Sequence, residues 1–251
     1  MAKFGENNLT TAMTLSHLGS LMNHMGKYSQ SEDFFNRSIK IRRAFLGNEH
    51  MDIGSSLMGM GSLLNKLKKH EKAIQSYEQA LKIFNKHMGE NNNYNQYVYS
   101  GLGYIYEDSG RITQALAAFE KSVSLIQKNS LESSKEAVAQ ANVAGMLRLL
   151  DQCDKAIAIF SKILPRLDSE LPNVWVTPKA HWRYGKCLIQ QQKFEQAELH
   201  IVQAVEQLTN IKGKSHEITL EAIAAAVDLY RVWKKVKLEQ KYTAMLNQSD
   251  T

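Results

Sequence analysis

Apolar side chains recur along this chain in paired helical stripes. Between Asp52 and Gly89, Leu57, Met60, Leu64 and Leu67 fall at helical spacing, and a second stripe follows at Ala73, Ile74, Tyr77, Leu81 and Phe84. The polar stretch Lys68-Lys69-His70 separates the two. A 3.6-residue period on both sides of a short polar break predicts an antiparallel helix pair, with about 14 to 18 residues in each helix. Gly61 precedes Ala73 by twelve residues, which predicts a crossing too close for larger side chains. Gly19 with Ser31, Gly103 with Ala115, Ala144 with Ala156 and Gly185 with Ala197 repeat the pairing. A large residue fills the next turn each time, at Phe35, Tyr77, Phe119, Phe160 and Ile201.

The small residues Gly19, Gly61, Gly103, Ala144, Gly185 and Ala226 are spaced by 42, 42, 41, 41 and 41 residues. Gly5, Gly47 and Gly89, each after an apolar residue, keep the same period. Self-similarity at this period predicts an all-α solenoid of stacked units, about six helix pairs in all. The pairs are expected over Thr10–Phe45, Met51–His87, Tyr94–Gln127, Ser134–Arg166, Pro178–Thr209 and Glu217–Asn247.

The fourth unit is the least regular. Pro165 is expected to cut its second helix short, and Leu167–Pro178 to form the longest loop, with Thr177 capping the next helix and Pro178 at its first position. Residues 1–9 read as the tail of a preceding unit, 10–216 as five helix pairs and 217–251 as a degenerate sixth pair that caps the stack. Phe4-Gly5 is in phase with Leu46-Gly47, so the chain is expected either to be a segment of a longer protein or to be an array that starts abruptly.

The 31 basic and 25 acidic residues give a net charge of +6, but they are interspersed, and the densest basic run is the short Arg231–Lys237. This favours a solvated face over a nucleic-acid site, with nucleic-acid association through the C-terminal helices as an alternative. Two cysteines, Cys153 and Cys187, make no disulfide framework and both read as packed residues, which points to a reducing cytoplasm. No signal-like N-terminus and no apolar run long enough to span a membrane is evident.

The run Leu18-Gly19-Met22-Gly26-Lys27-Tyr28-Phe35, echoed by Leu102-Gly103-Tyr106-Gly110-Arg111-Ile112-Ala115-Phe119, resembles the tetratricopeptide repeat. The long period and the loop Leu46-Gly47-Asn48-Glu49-His50 look like the variety found in kinesin light chains. The stretches Ala180–Ile201 and Glu221–Leu246 are similar to the closing repeats of arrays at the C-terminus of some bacterial serine/threonine kinases. The resemblance implies a right-handed α-α superhelix, a role in holding partners, and no cofactor.

No phosphate loop, dinucleotide glycine pattern, nucleophile elbow or paired catalytic carboxylate occurs, so no enzyme is expected. Of the eight histidines, His17 and His24 lie two turns apart, His50 and His216 sit in equivalent loops where a structural role is expected, and His70, His87, His181 and His200 lack a ligand partner at sequence spacing. No metal site is expected.

In the family the first helix of each pair lines a concave groove. Helical projection places there Met13, Ser16, Ser20 and His24; Met58, Ser62, Asn65 and Lys66; Tyr97, Ser100, Tyr104, Glu107 and Asp108; Ala141, Asn142, Gly145 and Arg148; and Lys179, Trp182, Arg183, Lys186 and Gln190. Tyr97, Ser100, Tyr104, Glu107, Asn142, Lys179, Trp182, Arg183 and Lys186 are the expected partner contacts. Lys179, Arg183 and Lys186 form a basic strip suited to an acidic or carboxylate-bearing peptide. The competing reading packs Trp182 against a neighbouring helix and leaves the charges merely solvated. Asn142, Lys179 and Arg183 fit three places of the carboxylate clamp that some family members use, while Ser100 and Tyr104 depart from it. A non-enzymatic module holding a peptide of a partner protein follows; the alternative is the sensing or docking array of a bacterial kinase or effector. The chain is expected to be monomeric, or to self-associate weakly through its N-terminal face.

Overall fold

The computed structural model describes residues 8–129 and 133–247, apart from the side chain of Ser133. The proposed tail of a preceding unit lies outside them except for Asn8 and Leu9, which cap and open the first helix. Twelve helices and no strand occur among the described residues. The chain divides into two compact units, 1–131 and 132–251.

The first unit contains α1 (Leu9–His24), α2 (Tyr28–Leu46), α3 (Met51–Lys66), α4 (His70–Met88), α5 (Asn93–Asp108) and α6 (Ile112–Lys128). The second contains α7 (Ser133–Leu149), α8 (Cys153–Glu170), α9 (Val176–Gln190), α10 (Phe194–Lys212), α11 (Glu217–Val232) and α12 (Val236–Asn247). In each unit odd and even helices form three antiparallel pairs, and each pair packs on the next. The six pairs fall within a few residues of those read from the apolar stripes.

The small residues work as the pattern predicts. A Cβ on Gly19 would meet the ring of Phe35, one on Gly61 the ring of Tyr77 and the Ala73 carbonyl, and one on Gly103 the ring of Phe119. Ser31, the one polar member of the set, donates a 2.7 Å hydrogen bond to the Gly19 carbonyl. A second glycine series went unread: Gly59 and Gly101, on the following unit's first helix, receive the same Phe35 and Tyr77 rings. Each of these two rings is therefore held between glycines of two successive pairs.

The turns inside the pairs place one residue in the left-handed region at a constant register: Gly26, Lys68, Gly110, Asp151, Gln192 and Lys234. Between pairs, Gly47, Gly89 and Gly213 end the second helices at φ 76°, 73° and 90° with extended ψ, a combination open essentially to glycine alone. His50 and His216 then start the next helices, each Nδ1 accepting the N–H of the residue two positions on. That is the structural role expected of them.

Four expectations fail at the fourth unit and its junction with the fifth. Helix α8 runs through Pro165 to Glu170, because Ile163, Leu164 and Leu167 are buried on both sides of the proline and their packing outweighs the lost hydrogen bond. The loop shrinks to residues 171–175. Thr177 lies inside α9 instead of capping it, and its hydroxyl donates to the Leu171 carbonyl at 2.8 Å. Finally, Cys153, the first residue of α8, is disulfide-bonded to Cys187 of α9, with Cα atoms 5.2 Å apart. Reading each cysteine as a separate packed residue missed that α8 and α9 lie side by side, and the cysteines lend no support to a reducing compartment.

Candidate partner-binding site

In the first unit α1, α3 and α5 adjoin in order, which puts their inward residues on one surface. Tyr97 is 47% exposed and Met13 48%, while Met58, Ser62 and Asn65 are partly exposed. The polar members are tied across helices: Asn23 Nδ2 lies 3.5 Å from Ser62 Oγ, and Asn65 Nδ2 donates to Asp108 Oδ2 at 2.6 Å. The surface is rich in Ser, Asn, Met and Tyr, and its charges, Lys66, Glu107 and Asp108, all fall at the last turn of α3 and α5.

The other expected contacts in this unit are less available. Ser100 turns toward α6, its hydroxyl 3.0 Å from that of Ser122. Tyr104 is partly buried and sets its ring edge-on to Phe119, with centroids 5.2 Å apart. Glu107 is also partly buried. Tyr97 alone of these four stands out into solvent.

The second unit differs more from the projection. Trp182 and Arg183 are each 4% exposed and Asn142 3%, so none is the open groove residue that helical projection suggested. The guanidinium groups of Arg148 and Arg183 lie 5.5 and 5.6 Å from the Trp182 ring centroid, within cation–π range. Gly145 makes room for Arg183, since a Cβ there would collide with its guanidinium. Projection failed because α9 packs on α7 and α11 as well as on α8 and α10, leaving little of its circumference open. Of the basic strip, Lys179 and Lys186 stay partly exposed, and Lys186 is engaged by Asp228 at 3.3 Å.

A histidine cluster was not foreseen. His181 Nε2 lies 2.8 Å from Asp168 Oδ1, and His181 Nδ1 lies 2.8 Å from His200 Nδ1. A carboxylate only accepts, so His181 carries its proton on Nε2, and His200 Nδ1–H donates to the bare His181 Nδ1. Burial, with His181 next to it, pushes the His200 imidazole down to about 4. Asp168 is thus the partner that spacing along the sequence could not supply, being brought in from α8. Among the described residues no group of three or more His, Cys, Asp or Glu side chains is arranged to hold a metal ion.

The C-terminal basic run is engaged in part, at Arg231 and Lys235. Arg231 pairs with Asp228 and Glu239, and Lys235 lies 3.2 Å from the Trp233 ring centroid and 3.9 Å from Glu198. No helix among the described residues is long and apolar enough to cross a membrane.

Stacked helix pairs on a constant register define a repeat protein. The family model for the tetratricopeptide repeat matches residues 10–86 and 96–169, and the chain belongs to that family. Comparison with curated protein sequences gives no match. Among solved structures, the chain is similar to the apo form of RapI, with a TM-score of 0.70 at 11% identity over 95% of this chain and 97% of that one. It is likewise similar to the nearly identical TPR-like repeats of a Podosopora anserina protein described as a kinesin light chain, with a TM-score of 0.64 at 13% identity over 82% and 98%. Pseudomonas aeruginosa pilF gives 0.65 at 13% over 94% and 90%. At such identities the likeness is one of fold.

Proposed function

We propose that this chain is a non-enzymatic interaction module that holds a peptide segment of a partner protein on the inward faces of its first helices, with the main contact on the first unit. The observation that carries this reading is Tyr97. A large aromatic that stands 47% exposed on α5, on the inward side that exposed Met13 and partly exposed Ser62 and Asn65 also line, supports reading it as a binding anchor, not as a core residue. The expected preference for an acidic or carboxylate-bearing partner is weakened, because Arg183 is internal and Lys186 is already paired with Asp228. A peptide bringing apolar or aromatic side chains and free backbone amides suits the neutral surface of α1, α3 and α5 better.

The test is a display screen of random peptides against the whole chain, followed by titration of recovered peptides. Tyr97→Ala is expected to weaken binding by roughly tenfold or more, as for an interface hot spot, with the helical circular dichroism unchanged. Peptides that bind both proteins equally would remove the first unit's inward face from consideration.

A further inference from the structure

Tyr77 fills a place that an apolar side chain fills in the other pairs. Phe35, Phe119, Phe160 and Ile201 hold the same register, and each is at most 1% exposed. Phe35 occupies the same kind of slot, against Gly19 and Gly59 as Tyr77 lies against Gly61 and Gly101. The slot therefore takes a ring with no polar atom. The Tyr77 hydroxyl is the one feature of this series that packing does not require.

That hydroxyl stands at a definite point. A Cβ on Gly61 of α3 would meet the Cδ2–Cε2 edge of the ring, whereas one on Gly101 of α5 would meet Cε1, Cζ and the hydroxyl oxygen. The ring thus spans from α3 to α5 with its oxygen at the α5 end. Gly101 is partly exposed and lies one turn beyond Tyr97, on the same face of the helix. Tyr77 is 7% exposed, its oxygen is not fully enclosed, and among the described residues it makes no hydrogen bond. A tyrosine buried to this degree ordinarily has a partner for its hydroxyl, because leaving that bond unmade costs more than a phenylalanine would. With no side chain at 101 to cover it, the oxygen reaches the inward surface beside Tyr97.

We infer that the Tyr77 hydroxyl is a specificity contact of the inward face, donating a hydrogen bond past Gly101 to a backbone carbonyl of the segment held against Tyr97. The inference rests on the peptide-binding reading and supplies a polar contact for it. Burial keeps the phenol protonated well above neutral pH, so it remains a donor across the physiological range. A carbonyl suits it better than a carboxylate, since Glu107 and Asp108 make the following turn of α5 acidic.

Peptides recovered from the random library on the wild-type chain test this when titrated against wild type, Tyr97→Ala and Tyr77→Phe, with denaturant unfolding of each protein. Tyr77→Phe keeps a ring of the kind that Phe35 shows the slot accepts. It is expected to unfold at the same midpoint or higher while binding roughly three- to tenfold more weakly. Replacing one peptide amide at a time by an ester weakens a single carbonyl as an acceptor. One position should then lose affinity for wild type but not for Tyr77→Phe. Binding unchanged by Tyr77→Phe but weakened by Tyr97→Ala would overturn this inference and leave the peptide-binding reading standing. A lowered unfolding midpoint for Tyr77→Phe would also overturn it, since the hydroxyl would then serve the fold. Binding indifferent to both substitutions, or a library without binders, would overturn the peptide-binding reading and this inference together.

Discussion

The phenol ring of Tyr77 lies against the bare Cα of Gly101, so closely that a Cβ at Gly101 would come within 3.0 Å of the ring and its hydroxyl. The ring also faces Gly61 and is buried, which drives its hydroxyl up to about 12. Gly101→Ala gains up to about 1 kcal/mol of helix propensity but forces the ring off its position. Because Gly61 and the Ala73 carbonyl close the other side, the ring cannot simply retreat. Overpacking is expected to win, with a net loss of about 1–2 kcal/mol in denaturant unfolding. Tyr77→Leu in the same chain should recover part of it. An unchanged midpoint for Gly101→Ala would mean that the ring has slack the structure does not show.

The turn register supplies a change in the opposite direction. Gly26 and Gly110 fill the left-handed turn position in two pairs, whereas Gln192 holds it at φ 58° in the fifth. Gln192 is exposed, so a substitution there disturbs no packing. Relief of left-handed strain outweighs the extra freedom glycine gains in the unfolded chain, and Gln192→Gly is expected to stabilise by about 0.5–1 kcal/mol. Thermal unfolding of the two proteins checks the sign. Gly47→Ala, at φ 76° with extended ψ, should by the same reasoning cost about 1–3 kcal/mol.

These two series also show which parts of the molecule could be read from sequence. The helix pairs were legible because Leu57, Met60 and Leu64, like Ala73, Tyr77 and Phe84, repeat a one-dimensional period that the fold obeys, and a register of 42 carries the reading from one pair to the next. Gly59 and Gly101 escaped because their reason lies in the preceding unit's ring. The inward faces were only partly legible. Projection from a single helix finds Tyr97 on α5 but cannot tell that α9 is enclosed, so Trp182 and Arg183 looked open. Asp168, His181 and His200, like Cys153 and Cys187, come together only through the packing of neighbouring helices, which spacing along the chain does not reveal.

The Cys153–Cys187 bond closes a loop between residues 34 apart, joining the start of α8 to the last turn of α9. A cross-link of that length restricts the unfolded chain by about 4 kcal/mol in the chain-entropy model. Reduction under mild denaturant is therefore expected to lower the unfolding midpoint of the second unit by that order, while leaving native helicity in place because both residues are also packed. Paired thermal scans with and without dithiothreitol read this directly. Cys153→Ser should reproduce the reduced midpoint and abolish the effect of reductant.

The histidine cluster makes stability depend on pH in a definite window. His200 titrates near 4 in the folded chain against 6.5 for an ordinary imidazole, so between those values the unfolded chain binds more protons than the folded one. Stability contributed by this group is complete above about 6.5 and drains away as the pH falls toward 4. The groups that set the response are Asp168 and His181 in the hydrogen-bonded chain and Tyr184, whose ring lies edge-on to His200 at 4.8 Å. Because the imidazole is only partly buried, solvent screens the effect, and the loss from pH 7 to pH 4.5 is expected to be about 1–2 kcal/mol. His200→Gln keeps a hydrogen-bonding side chain but cannot titrate, so its stability should change less across that interval. Comparing urea midpoints for the two proteins at both pH values isolates the contribution, since other ionisable groups act on both alike. Parallel lines for wild type and His200→Gln would mean that His200 takes up its proton in the folded chain as readily as in the unfolded one, and that the bond to His181 does not hold it neutral.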